Sequence, residues 1–139
     1  MLSAVLDTNI LASGALTSST IPGQILSMWR EGQFKLILSS YIINELIQVL
    51  NKPYFKRLIN VHDIKEFVEL LENEAILIQV TVKIEGIATH PEDDFILATA
   101  LSAKADYLVT GDHALQDLKQ FKGIRIVNPR LFSEILQTE

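Results

Sequence analysis

Acidic residues at four places in the chain have the types and settings that phosphate chemistry needs. They are Asp7, ending the apolar run of residues 2–6; Glu45, inside an amphipathic stretch; the pair Asp93-Asp94 beside Pro91; and Asp112, following Thr110-Gly111. Carboxylates held together repel one another, and apolar surroundings raise their pKa values, so such a cluster requires a divalent cation. Mg²⁺ or Mn²⁺ suits it, because both favour oxygen ligands and the chain has no cysteine to offer a thiolate. An ion held this way polarises phosphoryl oxygens, lowers the pKa of an attacking water and stabilises the leaving oxyanion, which is the chemistry of phosphodiester hydrolysis or phosphoryl transfer. The sequence contains neither the glycine-rich loop of P-loop enzymes nor the G-x-S-x-G elbow of serine hydrolases.

Taken singly, each acid has a plainer role. Asp7-Thr8-Asn9 and Thr110-Gly111-Asp112 suit turns, Asp93 and Asp94 suit a helix's first turn, and Glu45 suits a solvated helix face. Their combination carries the inference, and it depends on elements that bring them together. Residues 2–6 read as a strand buried on both faces, followed by a Gly/Ser/Thr-rich loop over 13–20 and a helix opened by Pro22 and running through Trp29. Residues 34–38 read as a second strand. Ser39 or Ser40 caps the next helix, whose apolar stripe of Ile42, Ile43, Leu46, Val49 and Leu50 leaves Glu45 at its border. A helix over 62–74 precedes a β-rich run over 75–82. Thr89-His90-Pro91-Glu92 fits a capping box for a helix to Lys104, apolar or small on almost every side. Residues 106–110 and 124–127 complete about five strands, and a helix from Pro129 to Gln137 closes the chain.

Strands alternating with helices predict a parallel sheet covered on both faces, a three-layer α/β/α domain spanning residues 1–139. Ligands of such sheets bind beyond the carboxyl ends of the strands, where Asp7 and Asp112 both fall. No apolar run reaches the roughly 18 to 20 residues of a membrane span, and the first residues lack a basic leader, so a cytoplasmic protein is expected. With 12 Lys+Arg against 17 Asp+Glu, the net charge of −5 argues against simple duplex binding while leaving room for an enzyme that meets phosphates through cations.

The stretches Val5-Leu6-Asp7-Thr8-Asn9-Ile10, the Glu45 helix, Pro91-Glu92-Asp93-Asp94 before Phe95-Ile96-Leu97-Ala98, and residues 105–112 together resemble the PIN-domain ribonucleases. Within that family the chain is most similar to the VapC-like toxins of toxin–antitoxin pairs. The resemblance implies a metal-dependent endoribonuclease using Mg²⁺ or Mn²⁺, with Asp7, Glu45, Asp94 and Asp112 as catalytic and metal-holding acids. Asp94 is preferred to Asp93 because the family's acid stands four residues before a small alanine, here Ala98; Asp93 is a neighbour that could assist or substitute. Asn9 and Thr110 would orient the acids, and His90 departs from the acid that relatives carry before the proline. The resemblance further implies an RNA substrate, a small antitoxin that covers the active site, and a homodimer.

Four rival readings stand beside this one. A haloacid-dehalogenase-type phosphatase would need an acid where Asn9 stands, and a phosphoacceptor receiver would need an acidic pair on another strand. A PIN-fold scaffold without turnover would not need to keep all four acids, and a housekeeping RNA-processing nuclease would use the same pocket as a toxin. His62 and His113 read as surface residues, Trp29 as core. The basic-aromatic segment 52–57 could guide single-stranded RNA or be a solvated helix, and Lys119, Lys122, Arg125 and Arg130 form a second, scattered basic set.

Overall fold

The computed structural model of the chain describes residues 1–88, 91 and 93–138 in full and residue 92 by its backbone. The expected capping box at 89–92 therefore lies outside the described residues, as does His90.

The first strand, β1 (Ser3–Leu6), places Ala4, Val5 and Leu6 in complete burial. Neighbouring strand residues point to opposite faces, so burial of all three means that both faces of the sheet are covered. Directly after it, Asp7 caps α1 (Thr8–Leu16) by accepting the Ile10 N–H at 3.0 Å. The expected loop over 13–20 is thus corrected: the helix runs on to Leu16. Ser13 and Gly14 suggest a loop, yet Gly14 serves packing, since a Cβ there would stand 2.4 Å from Leu26 Cδ1 of the next helix. That helix, α2 (Ile21–Arg30), is capped by the Thr20 hydroxyl and buries Ile25, Leu26 and Trp29. Gly23 in its first turn lies against the preceding loop so closely that a Cβ would meet the Thr17 carbonyl oxygen at 1.9 Å.

Strand β2 (Lys35–Ser39) passes into α3 (Ser40–Leu50) without a loop, because Ser39 ends the strand and also caps the helix through the Ile42 N–H. Two helices follow, the short α4 (Pro53–Lys56) and α5 (Val61–Glu74), and then β3 (Ile76–Ile78). The β-rich run to residue 82 does not stay in the sheet. β3 is an edge strand, and beyond it the Thr81 and Val82 amides bond the Ser102 hydroxyl at 2.9 and 3.3 Å instead of a neighbouring strand. Ser102 belongs to α6 (Pro91–Ala103), which lies against β1 to β3 and against β4 (Tyr107–Val109). A short α7 (His113–Leu118), β5 (Gln120–Phe121), β6 (Ile124–Val127) and α8 (Pro129–Thr138) complete the chain.

The sheet has six strands in the order β3-β2-β1-β4-β6-β5, all parallel except β5, which pairs antiparallel with β6. The expected five parallel strands are present, and the sixth adds a hairpin whose turn, Lys122-Gly123, has φ of 48° and 89°. Both values are positive, as a tight two-residue hairpin turn requires. From β1 the chain builds outward to β2 and β3, then returns to β1's other side with β4. The two adjacent strands at which the order reverses leave a crevice at their carboxyl ends, the place where open parallel sheets bind ligands.

Candidate active site

Asp7 emerges from β1 at this crevice and is 5% exposed. One carboxylate oxygen takes the Ile10 N–H; the other accepts the Thr110 hydroxyl at 2.8 Å and the Gly111 N–H at 3.1 Å, both from just beyond β4. Burial pushes the Asp7 carboxyl above its ordinary value, and these hydrogen bonds pull it back only in part. A positive charge placed there would relieve the buried anion.

Thr110 is also the acceptor for the Asp112 N–H at 3.0 Å, so a single hydroxyl ties the two acids' segments together. Asp112 in turn caps α7, taking the Leu115 N–H at 2.8 Å on one oxygen. Glu45, half-buried on α3, accepts the Thr8 hydroxyl from the start of α1. The border position expected from its helix periodicity is what points it toward the sheet edge.

Two adjoining clefts collect these groups. The larger, about 610 Å³, is lined by Thr8, Asn9, Glu45 and Asp93 together with residues of α3; the smaller, about 420 Å³, is lined by Asp7, Asn9, Asp93 and Asp112 with His113 at its wall. Asn9 and Asp93 belong to both. Of the residues expected from sequence, Asp7, Glu45, Asp112, Asn9 and Asp93 therefore share one region, and Thr110 stands behind Asp7.

Asp94 does not join them. Although only 5% exposed, its carboxylate accepts the Gly86, Ile87 and Ala88 N–H groups at 3.0, 3.1 and 2.8 Å, and it lines a separate, mostly apolar cavity with Val80, Val82 and Phe95. Consecutive helix residues point about 100° apart, and here Asp93 lines both clefts while Asp94 faces the 84–88 loop. Spacing to Ala98 could not show which way the helix is rotated. Tyr41, Asn44 and Gln48, on the wall of the larger cleft, are absent from the sequence-derived site. The spacing of Tyr41 and Gln48 four and three residues from Glu45, with Asn44 three and four residues from those two, was the available signal, a polar stripe on one helix face.

The donor set fits a hard cation, being entirely oxygen. Among the described residues no three His, Cys, Asp or Glu side chains stand close enough to enclose an ion by themselves.

A family model for the PIN domain matches residues 3–114, and the chain belongs to the PIN domain family, whose members are in general nucleases that use divalent metal ions. Among solved structures with the same fold is VapBC2 from Rickettsia felis bound to a DNA fragment from their promoter, with a TM-score of 0.59 over 91% of this chain and 98% of that one, at 16% identity. No curated protein matches the sequence. Among the described residues no helix is long and apolar enough to cross a membrane.

Proposed function

We propose that the chain is a metal-dependent endoribonuclease and the toxin of a toxin–antitoxin pair, with Asp7, Glu45, Asp93 and Asp112 as its acidic site. The observation that carries this reading is the gathering of those four carboxylates around two clefts that share Asn9 and Asp93. Asp7 and Asp112 would hold a cation in the smaller cleft, with Asp93 between them and Glu45. A bound Mg²⁺ or Mn²⁺ supplies the charge that polarises a phosphodiester and lowers the pKa of an attacking water. The chain's own groups prepare for it. Thr110 and Gly111 fix the orientation of Asp7, Thr8 fixes Glu45, and the exposed Asn9 amide stands where the clefts meet, able to donate to a phosphate oxygen.

RNA as substrate and an antitoxin as partner follow from the family resemblance, and the shared fold of VapBC2 is consistent with the partner. A homodimer and a cytoplasmic setting belong to the same reading. The scaffold alternative is favoured by one observation, that no three acids converge on a single point among the described residues.

The test is cleavage of a mixed-sequence single-stranded RNA by purified protein with Mn²⁺, with Mg²⁺ and with EDTA, alongside Asp7→Asn and Asp112→Asn. Cleavage that needs the metal and disappears in both variants is expected. Metal-independent cleavage, or cleavage undiminished in both variants, overturns the site; an inert protein that also fails to bind Mn²⁺ supports the scaffold.

A further inference from the structure

The larger cleft has a wall that the acidic chemistry does not use. Tyr41, Asn44, Gln48 and Lys52 line it from α3 and the residues just after that helix, on the same side as Glu45 and opposite the buried Ile42, Ile43, Leu46 and Leu50. The helix turns once in 3.6 residues, so positions 41, 44, 45 and 48 form one polar face, with Lys52 following beyond the helix end, and Tyr41 to Gln48 spans about 10 Å along the axis.

At one end of this face the Tyr41 ring stacks on Phe95 of α6, with centroids 3.9 Å apart and planes inclined by 17°. Both rings remain well exposed, at 40% and 41%. Phe95 lines the neighbouring cavity and Tyr41 lines this one, so the tyrosine has a partner on one side and the open cleft on the other. A ring already held by a stacked neighbour loses little freedom when a second flat group settles on it. Next along the face come two side-chain amides, Asn44 and Gln48, each carrying donors and an acceptor at one end, the combination that pairs with the edge of a nucleobase. Lys52 supplies a cation beyond them, in a region otherwise acidic.

We infer that this wall is a subsite for one unpaired nucleotide of single-stranded RNA beside the scissile phosphate, with Tyr41 as the stacking platform, Asn44 and Gln48 as readers of the base edge, and Lys52 as the contact for a flanking phosphate. The inference rests on the nuclease reading above and extends it to specificity. A base must be unstacked from its neighbours to lie on Tyr41, so the subsite selects unpaired RNA over duplex. The cleft's 610 Å³ is ample for a nucleotide. A protein ligand would profit less from two adjacent amides and a lysine on an open polar wall than a base and its phosphate do.

Binding and cleavage separate this inference from the reading beneath it. Anisotropy of a labelled mixed-sequence single-stranded 12-mer RNA is measured in an Asp112→Asn background that leaves the RNA uncut, with Tyr41→Ala and Tyr41→Phe added in turn. Tyr41→Ala is expected to weaken binding about five- to tenfold, with Tyr41→Phe within about twofold of the parent, since stacking needs the ring and not the hydroxyl. In the otherwise unaltered protein, Asn44→Ala with Gln48→Ala should change the base frequencies at one position beside the cut in a randomised RNA pool. Equal binding by the parent and Tyr41→Ala overturns the subsite and leaves the ring pair to a protein contact, as does a parent that binds no RNA or a cut-site profile that both amide substitutions leave unchanged. Tyr41-dependent binding without any cleavage by the unaltered protein supports the subsite and sinks the nuclease reading instead.

Discussion

Asp93 and Asp94 are adjacent in sequence but face different surroundings, and on the proposed reading their asparagine variants should part company in two measurements. Asp94 holds three backbone N–H groups of the 84–88 loop. Hydrogen bonds to a charged group are each worth about 1.5–3 kcal/mol. The loop lies near the surface, so its amides can return to water, and the cost of removing the carboxylate is less than the sum. Asp94→Ala should cost about 2–4 kcal/mol. Asp94→Asn keeps the oxygen that serves Ile87 and Ala88 but turns an NH₂ toward the Gly86 N–H, a loss of one bond and about 1–2 kcal/mol. For a chain of this length that is a fall in Tm of about 3–7 °C. Asp93→Asn leaves the loop anchored and should change Tm by less, while reducing metal-dependent RNA cleavage by about 100-fold. The assays are thermal unfolding with and without Mn²⁺, and cleavage rates on the same preparations. An Asp94→Asn protein with unaltered Tm and no cleavage, beside an active Asp93→Asn protein, would refute the assignment and restore Asp94 as the third acid.

Three further outcomes follow from the same structure. Because burial raises the Asp7 carboxyl above its unfolded value of 3.8, the native state holds that proton more tightly; the stability Asp7 contributes is full below the unfolded value and is lost as pH rises through the folded one. Asp7→Asn should flatten that part of the pH–stability curve of the metal-free protein, and urea titrations across the acidic range showing no difference from wild type would contradict it. Thr110→Val removes a hydrogen bond that lowers the Asp7 pKa, so the acid limb of the cleavage profile should move to higher pH; a profile that stays in place would show that Thr110 does not tune Asp7. Gly23→Ala, placing a Cβ 1.9 Å from the Thr17 carbonyl oxygen, should cost about 1–3 kcal/mol in chemical unfolding.

The parallel sheet and its order of elements were legible because the buried strands are short apolar runs and the helices between them carry clear stripes. Burial of Ala4, Val5 and Leu6 on both faces is written in residues 2–6 themselves. What failed was set by neighbours outside the local sequence. Gly14 reads as a loop residue until α2 is seen pressed against it, and residues 79–82 read as strand until β3 proves to lie at the sheet's edge with nothing beyond it to pair. The short α7 is likewise invisible to periodicity, being defined mainly by its Asp112 cap. For the site, the strand ends located Asp7 and Asp112, and the stripe border located Glu45. On α6 the spacing to Ala98 selects Asp94, whose carboxylate in the structure holds the amides of residues 86–88; spacing alone does not show how a helix is rotated.

Asp7 and Asp112 each hold up the first turn of a helix as well as facing the cleft. A cap of this kind is worth about 1 kcal/mol, and asparagine or serine supplies it nearly as well as aspartate. A lineage released from the need for activity could therefore exchange Asp112 for a neutral cap with little penalty to the fold, and Asp7 for asparagine at the loss of its bond to the Gly111 N–H, whereas exchange for alanine would erode it. Inactive descendants of such a protein would carry Asn or Ser at these two positions and keep the sheet, the helices and both clefts. The folded shape alone would then conceal the loss, and only the charge at two helix caps would record whether the domain still works.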